Sequence, residues 1–146
     1  MTIRTARTAW DGTLQEGSGQ VELSSSGAGT FDVSFPTRTA DDAGGTTSPE
    51  ELIAAAHSSC FSMALSYEID RAGGTPRSLE VSADVTLGQE DGAPTITTIT
   101  LTVRGEVEGL DARGFEQAAQ AAKPGCAVSR ALAGVDDITL DATLES

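Results

Sequence analysis

The sequence has few basic residues, few aromatic residues and no long hydrophobic run. Nine lysines and arginines stand against 22 acids in 146 residues, a net charge of −13, which argues against nucleic acid or an anionic membrane surface as a partner. One tryptophan, one tyrosine and four phenylalanines form no apparent stacking platform for bases or sugars. No segment approaches the roughly 20 apolar residues of a membrane span, and no signal-peptide core is present near the start. We therefore expect a cytoplasmic protein.

Cysteine is also scarce, with Cys60 and Cys126 alone in the chain. The cytosol keeps thiols reduced, so such a pair is more typical of redox chemistry or of inert thiols than of a permanent disulfide. Together with His57 the chain offers three soft ligands at most and no Cys-x-x-Cys spacing, so we expect neither a metal nor another cofactor. The length fits one domain over residues 1–146, with a core that needs no staple.

The chain is organised around a long helix predicted over residues 48–72. Ser48, followed by a proline and three residues later by Glu51, is typical of a helix start, and Gly73 favours a left-handed stop. Residues 52–67 contain no charged side chain. A helix that is apolar all round is a buried one, so we expect every face of it to be covered.

Cys60 lies near the midpoint of this helix, on a stripe that faces the core or an interface: Leu52, Ala56, Cys60, Met63 and Tyr67. A buried cysteine is most often a small hydrophobe. A thiolate there would need a cation from elsewhere, because the middle of a helix gains nothing from the helix dipole. Arg38, the only base of the polar loop before the helix, is the best-placed candidate, although a surface ion pair with Asp41 or Asp42 is the simpler interpretation of it.

The remaining segments predict an α+β fold. Residues 2–35 alternate as a three-stranded meander, and a second hairpin turns at residues 91–92. Helical spacing follows over residues 110–122, then a short helix over 127–133 and a last strand through 138–144. Because the strands are connected as hairpins rather than by βαβ crossovers, we expect antiparallel sheets packed against the long helix.

Cys126 follows a Pro-Gly break and precedes a helix start, where free amides and the helix dipole favour a thiolate. It can form a transient disulfide with Cys60 if the fold places their Cα atoms within about 7 Å. His57, three residues before Cys60, could serve as the general base of a cysteine hydrolase. A histidine on the same helix is more often a polar group satisfied at the helix surface, and no motif offers an oxyanion hole.

Residues 49–65 read PEELIAAAHSSCFSMAL and residues 125–132 read GCAVSRAL. Together these two segments resemble the OsmC/Ohr family of thiol peroxidases, and within it the OsmC branch. The resemblance implies an intertwined, obligate homodimer with two long helices at its centre and two active sites at the interface. It also implies a role in oxidative-stress defence.

The resemblance further implies a role for four residues. Cys60 would attack the peroxide and become a sulfenic acid, and Cys126 would condense with it to a disulfide that a lipoyl-type dithiol reduces. Glu50 would be the carboxylate of the Pro-Glu pair. Arg38 would be the activating arginine, with Arg4 and Arg7 as alternatives.

Organic hydroperoxides should react faster than hydrogen peroxide, because apolar side chains surround the first cysteine: Ala56, Phe61, Met63 and Leu65. Two other functions stay open. One is a binding module of the same fold that holds a small apolar ligand without turnover, and the other is the hydrolase that uses Cys60 and His57. Either would tolerate the loss of Cys126, whereas a two-cysteine peroxidase would not.

Overall fold

The computed structural model describes residues 1–146, which form two compact units, Met1–Leu52 and Ile53–Ser146. The α+β class is confirmed, with two three-stranded sheets and four helices. None of the helices combines the length and the apolar character that crossing a membrane requires. The single domain over the whole chain stays a prediction.

The first unit contains the predicted meander, formed by β1 (Arg7–Asp11), β2 (Ser18–Glu22) and β3 (Thr30–Val33), all antiparallel with β2 in the middle. Strand β3 ends two residues before the predicted end of the meander. Ser34 accepts a hydrogen bond from the amide of Thr37 and so caps a one-turn helix, α1 (Phe35–Thr39). Residue 38 is therefore held in a helical turn rather than in an open loop.

Helix α2 (Pro49–Arg71) is the long helix that the sequence predicts. Ser48 Oγ accepts a hydrogen bond of 3.1 Å from the Glu51 amide. The Glu51 carboxylate does not complete a capping box but accepts a hydrogen bond of 2.6 Å from the Thr47 hydroxyl. Gly73 then adopts φ = 87°, a left-handed conformation that ends a helix at little cost.

Helix α2 is buried on one face within this chain, not on every face. The core face repeats every fourth residue and consists of His57, Phe61, Leu65 and Ile69, all with no exposed surface. Met63 and Tyr67 keep 73% and 63% of their surface exposed, and Cys60 is half-buried. The stripe that carries Cys60 does not face the core of its own chain at these two positions, because the second unit covers only the opposite face.

The second unit contains the predicted hairpin, with β4 (Thr75–Glu90) and β5 (Ala93–Glu108) paired antiparallel along their length. Asp91 and Gly92 both have positive φ, 52° and 79°. A two-residue turn of this kind matches the twist of the strands that it joins.

The last strand corrects one prediction. The chain continues through α3 (Ala112–Gly125) and α4 (Ala127–Ala131) to β6 (Asp137–Leu144), which pairs with β5 in parallel. The second sheet is therefore mixed, and β5–α3–α4–β6 is a crossover rather than a hairpin connection. A parallel neighbour needs a connection long enough to return to the starting edge of the sheet, and the two helices supply it.

The core of the second unit lies between helices α2 and α3 and strand β5. Helix α3 contributes the four apolar residues of its predicted helical spacing, Phe115, Ala118, Ala119 and Ala122, all buried. Strand β5 contributes Leu101 and Val103, also fully buried. Cys126, between α3 and α4, belongs to the same core.

Candidate active site

Cys126 sits at the junction between helices α3 and α4 and has no exposed surface. Pro124 lies in the last turn of α3, and the Cys126 amide donates to the carbonyl oxygen of Lys123. The side chain then caps α4, because Sγ accepts a hydrogen bond of 3.5 Å from the Ser129 amide. A thiol thus takes the place that a serine or aspartate oxygen more often holds.

The Cys60 and Cys126 thiols lie near each other, because Cys60 packs against the core cluster that contains Cys126, although 66 residues separate them in the chain. Both cysteines are free in this structure. Burial raises the pKa of the Cys126 thiol, but hydrogen bonds from Ser129, Cys60 and the Val128 amide outweigh it, so that this pKa lies below its ordinary value. The second unit therefore brings the two thiols together, one of them biased towards the thiolate.

His57 faces the core of the second unit and is completely buried. Its Nε2 atom lies 2.6 Å from Ser129 Oγ, and its Nδ1 atom has no hydrogen-bond partner. Burial lowers the pKa of the imidazole, which favours the neutral ring. The ring is thus bound to Ser129 through one nitrogen and faces the core rather than the helix surface, so the expected satisfied polar group is only half met, and no hydrogen bond joins the ring to Cys60.

Arg38 and Glu50 form an ion pair within the first unit. Arg38 Nη2 donates to Glu50 Oε1 at 2.6 Å, and Arg38 Nε lies 3.0 and 3.1 Å from the two carboxylate oxygens. The last turn of α1 supplies the arginine and the first turn of α2 supplies the carboxylate. The pairing with Asp41 or Asp42, the simpler expectation from the sequence, is wrong.

The ion pair fixes the charge of both groups. The hydrogen bond to Glu50 raises the pKa of the Arg38 guanidinium, against a smaller lowering by burial. Burial raises the pKa of the Glu50 carboxyl, but the hydrogen bond from Arg38, its backbone hydrogen bond and the charge of Arg38 outweigh it, so that this pKa lies below its ordinary value. A two-point contact of this kind also fixes the plane of the guanidinium.

The other two arginines named as alternatives have weaker surroundings. Arg4 donates only to the carbonyl oxygen of its neighbour Ile3, and Arg7 pairs at 3.5 Å with the exposed Glu22. Side chains held this loosely at the surface are poorly oriented. Arg38 therefore remains the best-ordered candidate.

The four candidate residues form two pairs, Cys60 with Cys126 in the second unit and Arg38 with Glu50 in the first. Sequence reasoning missed Ser129, which contacts both His57 and Cys126. Ser129 lies three residues after Cys126 at the start of a helix. A side chain that caps a helix accepts from the amide at this spacing, so the spacing was the available signal for the contact with Cys126.

The four side chains expected to surround Cys60 differ in their burial. Phe61 and Leu65 have no exposed surface and belong to the core, whereas Met63 and Ala56 are exposed. Cys60 itself packs against the edge of the core. Its surroundings are apolar on the core side, and its other side is open within this chain.

Comparison with known proteins supplies a family. A model described as OsmC-like protein matches residues 41–141. Peroxiredoxin OsmC of Escherichia coli (strain K12) is 42% identical over 147 aligned positions that cover all of both chains. Among solved structures, the organic hydroperoxide resistance protein OhrB of Bacillus subtilis is 26% identical, with a TM-score of 0.72 over 97% of this chain and 98% of that one. An organic hydroperoxide resistance protein from Elizabethkingia anophelis is 27% identical, with a TM-score of 0.72 over 98% and 96%.

Proposed function

We propose that this chain, which belongs to the OsmC-like protein family and is a peroxidase, reduces organic hydroperoxides with Cys60 and Cys126 as its two redox-active thiols. The observation that carries the proposal is the proximity of these two thiols within the second unit, where Cys60 packs against the core cluster that contains Cys126. A thiol that forms a sulfenic acid beside a second thiol can be resolved without a large movement of the chain.

The proposed reaction has three steps. The Cys60 thiolate attacks one oxygen of the peroxide, the O–O bond breaks, and the leaving alkoxide takes a proton to become an alcohol. The Cys126 thiolate then attacks the Cys60 sulfenic acid, and water leaves as the disulfide forms. A dithiol of the lipoyl type then gives two electrons to the protein disulfide, which returns both cysteines to thiols, and the dithiol is itself oxidised to a disulfide.

Organic hydroperoxides are the proposed substrates for two reasons. The core side of Cys60 is apolar, so an alkyl or aryl group would lose contact with water there. Two of the similar solved structures are named organic hydroperoxide resistance proteins. Hydroperoxide removal in the cytoplasm, as a defence against oxidative stress, is the role that we propose.

Activation of Cys60 is assigned to Arg38, oriented by Glu50. Glu50 and Cys60 lie ten residues apart on α2, about 15 Å along the axis, so Glu50 cannot contact the cysteine of its own helix. We therefore place Arg38 and Glu50 of one chain at Cys60 of a second copy, across a two-fold axis.

A homodimer also explains the open face of α2. Met63 and Tyr67 are large apolar side chains, each more than half exposed, on a helix segment that carries no charge from residue 52 to residue 67. Exposed apolar side chains grouped on one helix face are typical of a protein interface. A second α2 is a suitable partner, because a two-fold interface uses the same surface on both copies.

Two cysteine variants test the mechanism. Cys60→Ser should abolish peroxide reduction, because no nucleophile remains. Cys126→Ser should consume about one equivalent of tert-butyl hydroperoxide and stop as a sulfenic acid that excess peroxide over-oxidises, which mass spectrometry of the intact protein would detect.

Multiple turnover by both variants, or no peroxide consumption by Cys126→Ser, would contradict the two-cysteine mechanism. If Cys126→Ser consumed no peroxide while the wild type turned over as before, the result would point to a role of Cys126 in the fold. Thermal unfolding of both variants is the control, and each should melt within a few degrees of the wild type.

A further inference from the structure

One buried polar contact joins helices α2 and α4 beside the two cysteines. Nε2 of His57 on α2 lies 2.6 Å from Ser129 Oγ on α4, and the two residues are 72 positions apart. It is the only hydrogen bond between these two helices. His57 has no exposed surface, and Ser129 is half-buried. The three steps of the proposed reaction leave this contact without a role.

The contact lies at the same spacing from both thiols. His57 precedes Cys60 by three residues on α2, and Ser129 follows Cys126 by three residues at the start of α4. Three residues make nearly one helical turn, about 4.5 Å along the axis. A contact that fixes one turn of each helix therefore also fixes the neighbouring positions, which carry the two sulfurs.

Helix α4 has few other contacts that hold it in place. It is five residues long and contains no fully buried residue, and a helix this short is not stable without contacts from outside it. Val128 is the one apolar residue of α4 that packs against the core, and it is only partly buried. An apolar contact has no preferred direction, whereas a hydrogen bond depends on both distance and angle. The contact between His57 and Ser129 therefore fixes the orientation of α4.

The orientation of α4 determines that of the Cys126 side chain. Cys126 Sγ accepts a hydrogen bond of 3.5 Å from the Ser129 amide. The same serine thus contacts His57 through its hydroxyl and Cys126 through its backbone. Cys126 belongs to the core cluster against which Cys60 packs. A rotation of α4 would therefore turn the Cys126 sulfur relative to Cys60.

The imidazole is the donor in this contact. Its Nδ1 atom is buried and has no hydrogen-bond partner. A buried N–H group without an acceptor is rarer than an unsatisfied acceptor, so the ring carries its proton on Nε2 and donates it to Ser129 Oγ. A side-chain amide in place of the ring can make the same donation.

We propose that His57 and Ser129 are positioning residues for the step that forms the disulfide: their hydrogen bond holds α4 so that the Cys126 sulfur reaches the Cys60 sulfenic acid before a second peroxide does. This inference rests on the proposed function for its catalytic meaning, but the placement of the two thiols can be measured without any peroxide.

Two reactions compete for the sulfenic acid. In the first, the Cys126 thiolate donates an electron pair to the Cys60 sulfur, the S–O bond breaks, and the oxygen takes a proton from solvent and leaves as water. In the second, the sulfenic acid takes one oxygen from another peroxide, which gives a sulfinic acid and an alcohol. A misplacement of about 1 Å can slow a reaction between two groups by about a hundredfold. A weaker hold on Cys126 should therefore favour over-oxidation of Cys60.

Ser129→Ala removes the hydroxyl but keeps the amide that donates to Cys126 Sγ. After one equivalent of cumene hydroperoxide, the rate of disulfide formation should fall about tenfold, while the rate of Cys60 oxidation stays the same. The peroxide concentration at which half of Cys60 becomes sulfinic acid should also fall about tenfold, by mass spectrometry of the intact protein. Ser62→Ala is the matched control, because the Ser62 hydroxyl bonds only to the Ser58 carbonyl oxygen of its own helix. It should change neither quantity.

Further variants separate positioning from stability. Ser129→Thr keeps the hydroxyl and His57→Gln keeps a donor, so both should retain most of the wild-type rate. Ser129→Ala combined with His57→Leu leaves no unpaired polar group in the core, so it should melt closer to the wild type than Ser129→Ala alone. It should nevertheless form the disulfide as slowly as Ser129→Ala. Recovery of the rate together with the melting temperature would overturn the proposal, because the contact would then act through stability alone.

A second readout is the disulfide equilibrium in a glutathione buffer without peroxide. This equilibrium reports how closely the fold places the two thiols, and Ser129→Ala should lower the constant for disulfide formation about tenfold, a rise of about 30 mV in reduction potential. If the wild type forms the disulfide in glutathione but not with peroxide, and Ser129→Ala lowers the constant, the proposed function fails and the assignment of His57 and Ser129 stands. An unchanged constant in Ser129→Ala would overturn the assignment and leave the two-cysteine mechanism intact.

Discussion

The contact between Arg38 and Glu50 leads to a prediction about stability. The Glu50 side chain is 9% exposed and the Arg38 side chain 31% exposed, and three N–H···O contacts join them. Removing one partner of a buried ion pair costs about 3–5 kcal/mol. Water reaches this site from the arginine side, so we expect Arg38→Met to lower the free energy of unfolding by about 2 kcal/mol at pH 7.

Urea unfolding at equal protein concentrations is the assay, since the stability of a dimer depends on concentration. With a slope of about 2 kcal/mol per molar urea, the unfolding midpoint should fall by about 1 M. The double variant Arg38→Met with Glu50→Gln is the matched control. It should recover part of the loss, because no unpaired carboxylate remains buried.

The pH dependence gives a second test of the same contact. In the wild type the pKa of Glu50 is lowered on folding, so its contribution to stability is present above the ordinary value of about 4.5 and is lost as the pH falls through the folded value. In Arg38→Met burial still raises this pKa, and only the backbone hydrogen bond of Glu50 opposes it. The difference between the two proteins should therefore shrink from pH 7 to pH 4. A difference that stays constant, or one below about 0.5 kcal/mol at pH 7, would refute this account of the pair.

Three further predictions concern the dimer and the substrate. Coexpression of Cys60→Ser with Arg38→Ala should restore about a quarter of all sites if these residues act across the dimer, and the purified heterodimer should stay as inactive as its parents if they act within one chain. Cumene hydroperoxide should react about ten- to a hundredfold faster than hydrogen peroxide in competition kinetics, and equal rates would count against an apolar approach to Cys60. Met63→Glu with Tyr67→Glu should weaken the dimer in sedimentation velocity, whereas Gln120→Glu on α3 should not, and a dimer that survives both changes would locate the interface elsewhere.

Local sequence signals predicted most of the elements. The Ser48 cap and Gly73 predicted the bounds of α2 to within two residues, and the turn at Asp91 and Gly92 predicted the hairpin. The apolar spacing of α3 predicted its buried residues. These features depend on neighbours within one or two turns, which is the range over which a sequence pattern carries structural information.

The features that sequence missed depend on contacts between distant segments. The direction of β6 is set by the path of two helices and not by its own residues. The apolar faces of α2 predicted that every face of this helix is covered, but the core covers only the face that carries His57 and Phe61. Strand β3 ends earlier than the alternating pattern predicted, because Ser34 caps helix α1 instead of continuing the strand.

The site was predicted in part. Cys60, Cys126 and Arg38 were singled out from the residues themselves, whereas Glu50 and the four roles came from the family resemblance, and those roles stay predictions. The partner of Arg38 changed from a neighbouring aspartate to Glu50, twelve residues away. Ser129 was not named, because its contact with His57 spans 72 residues and no local pattern records it.

The most direct test of the account is whether Cys60 and Cys126 become linked after the wild-type protein meets one equivalent of an organic hydroperoxide. Samples quenched with an alkylating agent within seconds and analysed without reduction should contain the Cys60–Cys126 disulfide, about one for each peroxide consumed. A protein that consumes the peroxide while both thiols remain free to alkylation, or that forms the disulfide far more slowly than it turns over, would contradict the two-cysteine mechanism.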